Sequence, residues 1–98
     1  MKKMTTQTNT KSITQDDQMD AILLDTHKQL DIKNPNGTLI EDVLAFAVSN
    51  NRPDKPFTFA HNLRFANPRL TKRGLAFTTK NKPARWGLTE KGRRKIND

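Results

Sequence analysis

The 98-residue sequence contains no cysteine and no tyrosine. Without thiols there is no disulfide, no cysteine nucleophile and no thiolate zinc site. Histidine is almost as scarce. His27 and His61 stand far apart, and neither lies in an Asp/Glu cluster at ligand spacing, so neither a metal nor a cofactor is expected. There is no run of about 18 apolar residues that could cross a bilayer. Residues 1–11 lack the apolar centre of a secretory signal. The missing thiols fit a reducing, cytoplasmic setting. No glycine-rich phosphate loop and no Ser/His/Asp arrangement is present, so the expectation is a binding protein and not an enzyme. Apolar residues make up 33% of the chain and mean hydropathy is −0.86. That allows one domain with a small core, placed at 13–98. The polar stretch 1–12 (MKKMTTQTNTKS) reads as a disordered tail.

What the chain has is positive charge, unevenly placed. Eighteen Lys and Arg face ten Asp and Glu, for a net charge of +8. The first fifty residues carry five lysines against seven acids. The remaining forty-eight carry thirteen Lys and Arg against three acids. Such a field attracts a polyanion and speeds encounter with it. An acidic protein, a membrane surface or mere solubility are the other readings of a basic surface.

Periodicity divides the chain into five elements. Thr14 with Asp17 resembles a capping box, and Met19, Ile22, Leu23, Thr26 and Leu30 follow at helical spacing, which predicts a helix over 15–30. Asp16, Asp17, Asp20 and Asp25 are then partners of the helix dipole and its solvent face. Thr38 with Glu41 is a second capping box, ahead of an apolar helix ending near Ser49. Thr58 opens a third helix with Phe59, Leu63, Ala66 and Leu70 as its buried stripe, and Gly74 stops it. Pro68 must kink this helix or restart it, because an interior proline costs roughly 3 kcal/mol. Phe65 is expected in the core, the proline having changed the helix phase. Residues 75–79 and 84–88 form a two-stranded hairpin around a Lys80–Pro83 turn, with Trp86 as its core anchor. Thr89 caps a short basic helix over 90–96. The fold class is therefore mainly α with a small β-hairpin: three helices, a two-stranded wing and a short C-terminal helix, in winged helix-turn-helix order.

Leu70-Thr71-Lys72-Arg73-Gly74-Leu75 resembles the end of a recognition helix running into a wing. Arg85-Trp86-Gly87-Leu88-Thr89-Glu90-Lys91-Gly92 resembles the second wing strand and its exit. The combination is similar to the N-terminal winged-helix domain of Mrr-type restriction endonucleases, and more loosely to MarR/PadR-like regulators. It covers Met19 to Ile96 in element order and Leu63 to Gly92 at the level of residues. Pro68 departs from the family pattern. No carboxylate-x-Lys pair follows Pro53-Asp54, so the resemblance implies DNA binding and not cleavage.

On a continuous third helix, His61, Arg64, Phe65, Pro68, Thr71 and Lys72 would lie opposite the apolar stripe, with Asn62, Arg69 and Arg73 on the flank. Arg reads guanine and Asn reads adenine in a major groove, while Lys and Thr hold phosphates. The candidate DNA-binding residues are His61, Asn62, Arg64, Arg69, Lys72 and Arg73 on the helix, and Lys80, Lys82 and Arg85 on the wing. Arg93, Arg94 and Lys95 either extend that footprint or simply suit a helix C-terminus. The expected partners are double-stranded DNA and, to match two half-sites, a homodimeric copy of the chain; no membrane partner is expected. The function expected is sequence-dependent or general duplex binding by a small regulator or accessory factor of phage, plasmid or bacterial type. A protein-interaction module, or an RNA or single-strand binder, are the alternatives.

Overall fold

A computed structural model describes residues 14–97; the tail expected over 1–12 lies outside them. The element order is α1 (Gln15–Asp31), β1 (Thr38–Leu39), α2 (Ile40–Asn51), α3 (Pro56–Arg64), α4 (Ala66–Lys72), β2 (Ala76–Thr78), β3 (Arg85–Leu88) and α5 (Glu90–Asn97). The described chain is mainly helical, with one small antiparallel sheet in the order β1-β3-β2.

Helix α1 begins where its capping box requires. Thr14 Oγ1 accepts from the Asp17 amide at 3.0 Å, and Asp17 Oδ2 accepts from the Thr14 amide at 3.4 Å. The helix then crosses the molecule and packs against α2, α3, α4, α5 and β3. Leu23 is fully buried among Val43, Ala47, Leu63, Ala66 and Leu70, which α2, α3 and α4 bring to it. Burying a Leu or Val side chain contributes about 1.5–3 kcal/mol, so this cluster is the main apolar contribution to stability.

Two expected helix starts differ from those observed. Thr38 does not cap α2. Its backbone pairs with Trp86 to make the short strand β1, and Leu39 occupies the N-cap without a side-chain bond. Pairing across 48 residues overrides the local capping signal, and the hairpin becomes a three-stranded sheet. Nor does Thr58 cap α3, which starts at Pro56 in its first position, where the missing amide is not needed.

Pro68 marks a restart. The helix breaks at Phe65, and α4 begins at Ala66 with Pro68 third. In a first turn the absent N–H costs no intrahelical bond. The break turns Leu63, Ala66, Asn67 and Leu70 inward, each fully buried. Phe65 is therefore not core: it is 54% exposed, because Asn67 takes the inward place. The end of α4 is a Schellman motif. Leu75 N–H reaches the Leu70 carbonyl and Gly74 N–H the Thr71 carbonyl, both at 2.9 Å, with Gly74 at φ +79°.

The hairpin pairs Ala76 with Leu88, Phe77 with Gly87 and Thr78 with Trp86. Trp86 is buried, as expected. Thr89 Oγ1 accepts from the Gly92 amide at 3.0 Å and so caps α5. Gly92 itself sits against the Leu75 carbonyl, and a Cβ there would fall inside the carbonyl oxygen's contact radius. Backbone cannot yield as a side chain can. Gly92→Ala should lower unfolding free energy by about 2–3 kcal/mol, seen as a lower urea midpoint; an unchanged midpoint would show that α5 can lift off at no cost.

Candidate nucleic-acid interface

The four-residue turn 52–55 joins α2 to α3, with Arg52 in the left-handed region at φ 46°. Along α3, Phe57, His61 and Arg64 recur at spacings of four and three and so share one face. All three are exposed, Phe57 to 92%. Phe65 adds to this face: its ring meets His61 edge-to-face, with centroids 5.1 Å apart. Arg64 lines one cleft with Pro83 and Ala84 of the β2–β3 loop. The helix face and the hairpin loop therefore adjoin.

The structure sorts the nine candidate residues into two groups. Lys72, on α4, and Lys80 and Lys82, on the loop 79–84, are exposed, and none of them has a carboxylate within 4.0 Å among the described residues. Arg64 is exposed and meets only the open carboxylate of Glu41, at 2.8 Å. Such surface pairs contribute about 0–1 kcal/mol and give way readily to a stronger anion. Arg85 is exposed on β3, and its guanidinium reaches the Gly37 carbonyl at 3.3 Å.

The flank points elsewhere. Arg69 turns back onto α1, where Nε and Nη2 each lie 2.8 Å from Asp20 Oδ1, and Nη1 lies 3.6 Å from Asp16. Arg73 approaches the other oxygen of Asp20 at 3.8 Å. Asp20 is buried, so it is not part of a solvent face; it anchors α4 to α1. Asn62 is half-buried beside Met19, Phe65 and Arg69. In α5, Arg93 grips Asp31 with two bonds of 2.8 Å and the Pro35 carbonyl with a third, which ties α5 to α1.

The core also holds a polar group that sequence reasoning missed. His27 Nε2 donates to Asn67 Oδ1 at 2.9 Å, and Asn67 Nδ2 donates to Thr78 Oγ1 at 3.1 Å. One chain of hydrogen bonds, buried at His27 and Asn67 and ending at the exposed Thr78, thus joins α1, α4 and β2. The His27 ring also meets Trp86 edge-on at 6.4 Å. Forty residues separate His27 from Asn67, and no local pattern marks either as a partner.

Burial lowers the His27 pKa below the ordinary 6.5, more than the Asn67 bond and the Asp31 charge raise it. The neutral ring is therefore the native form. The unfolded chain takes up a proton at higher pH than the folded one, so stability is complete above about 6.5 and falls as pH drops below it. One proton sets a limit of about 1.4 kcal/mol per pH unit. Urea midpoints measured from pH 7.5 to 5 should decline over that window, and His27→Gln should flatten the decline. An identical slope in the variant would place the titrating group elsewhere.

Among the described residues no three His, Asp or Glu side chains gather as a metal site, and no helix is long and apolar enough to cross a membrane. No family model, curated protein or solved structure matches the chain.

Proposed function

We propose that this chain is a winged-helix protein that binds double-stranded DNA, with α2 and α3–α4 as the helix-turn-helix and the β2–β3 loop as the wing. One observation carries the reading. The exposed face of α3 adjoins the hairpin loop, and Arg64, Lys80 and Lys82 bring to that junction positive charge that no buried carboxylate neutralises. The excess of cations in residues 51–98 and the resemblance to Mrr-type N-terminal domains support it. Lys72 extends the footprint along α4. Arg69 and Arg73 serve the fold first, through Asp20. A role as a small regulator or accessory factor, acting alone or as a homodimer, follows from such a module.

Exposed Phe57 and Phe65 favour a second reading, in which the same face docks a protein or stacks unpaired bases. Fluorescence anisotropy with labelled duplex DNA, single-stranded DNA and duplex RNA, each across a salt series, separates these. Preference for duplex DNA with steep salt dependence supports the proposal. Tighter binding to the single strand favours stacking, and no binding to any of the three at low salt favours a protein partner.

A further inference from the structure

Phe57 is the residue that the charge argument leaves unexplained. It is the second residue of α3, just beyond the 52–55 turn, and it is 92% exposed. A phenyl ring held in water at a helix start contributes nothing to folding. It is also off the buried stripe that Phe59 begins. Arg52 and Lys55 flank Asp54 in the turn before it, Arg64 lies two helical turns along the same face, and the ring borders a cleft lined by Leu44, Ala45 and Val48 of α2. An apolar head between cations complements a surface that offers apolar groups between phosphates.

Resting on the duplex-DNA reading above, we infer that Phe57 is a specificity-determining residue that contacts the C5-methyl group of thymine in the major groove. Docked helix-turn-helix proteins bring the N-terminal residues of the second helix to the base edges. Of the four bases only thymine presents a methyl group there, and phenylalanine is among the side chains that meet it. On this docking His61, one turn further along and set edge-to-face against the Phe65 ring, would meet the neighbouring base step. The α3 face therefore prefers sites with thymine opposite its N-terminal end.

The test uses a labelled duplex of alternating adenine and thymine, and the same duplex with uracil in place of every thymine. The exchange removes the methyl and leaves the hydrogen-bonding edges. The wild-type chain should bind the uracil duplex about fourfold more weakly, the worth of one methyl-sized apolar contact. Phe57→Ala should bind the two duplexes equally, near the wild-type level for uracil, and Phe57→Leu should keep a thymine preference. The exposed ring packs on so little that both variants should retain the wild-type circular dichroism. Equal wild-type affinity for the two duplexes would overturn the inference while leaving duplex binding intact. A thymine preference that survives in Phe57→Ala would overturn it as well. Tighter binding to single-stranded oligothymidine than to either duplex would assign the ring to base stacking, and no binding to either duplex would remove the DNA reading itself.

Discussion

Replacing Asn67 with leucine should lower unfolding free energy by about 3 kcal/mol, a large share of the total for a domain of this size. Leucine has the same branched four-atom skeleton as asparagine and is the bulkier of the two, so the loss would not come from an empty cavity. The loss arises because His27 Nε2–H, fully buried, is left without an acceptor. Thr78 is exposed and can turn to water, so its share is small. The cause can be isolated by a double-mutant cycle. Removing one partner strands the other, whereas replacing both with apolar groups removes the unmet demand. His27→Leu with Asn67→Leu should therefore be more stable than the sum of the two single changes implies. Urea denaturation of the four proteins gives the coupling directly. An Asn67→Leu chain as stable as wild type would mean that the buried chain of hydrogen bonds contributes nothing.

Changing Arg64, Lys72, Lys80 and Lys82 together to alanine should weaken duplex DNA binding on the order of a hundredfold at moderate salt. It should also reduce the slope of log affinity against log salt by about three to four units, close to one for each phosphate released. The fold should survive. Three of the four side chains make no ion pair among the described residues, and the fourth makes one exposed pair. Arg69 is the informative contrast. Its partner Asp20 is largely buried, and a part-buried carboxylate left with only the looser Arg73 contact at 3.8 Å is destabilising. Arg69→Ala should lower the unfolding midpoint with little change in the salt slope. If the fourfold variant keeps the wild-type slope and affinity, the charge of this face is solvation only.

The contrast between Arg64 and Arg69 shows how much the sequence could reveal. Local signals read correctly. The Thr14 cap, the α1 apolar spacing, the Gly74 stop, the hairpin and the buried Trp86 all depend on residues within a few positions of one another. The stripe Phe59, Leu63, Ala66 and Leu70 also faces inward as its spacing implies, with only Phe59 partly exposed. Thr58 failed locally, because Pro56 two residues earlier already opens α3; the other failures depended on distant partners. Thr38 carries a good capping pattern, yet a strand arriving 48 residues later claims its backbone. Phe65 was expected in the core because Pro68 shifts the helix phase, but the inward site beside Ala66 belongs to the asparagine that His27 needs. Helical spacing placed Arg69 at the edge of the outer face. It could not show that Asp20, 49 residues earlier, would draw the guanidinium onto α1. Charge counting thus located the cations in one half of the chain and could not separate those that hold the fold from those that face solvent.

The most direct test is an NMR titration of the chain with a short duplex DNA, read amide by amide. The proposed interface predicts shifts concentrated in residues 52–65, around Lys72 and in 79–85, with α1 and α5 nearly unmoved. Shifts centred on α5 and its Arg94 and Lys95, or spread evenly over every exposed lysine and arginine, would contradict it.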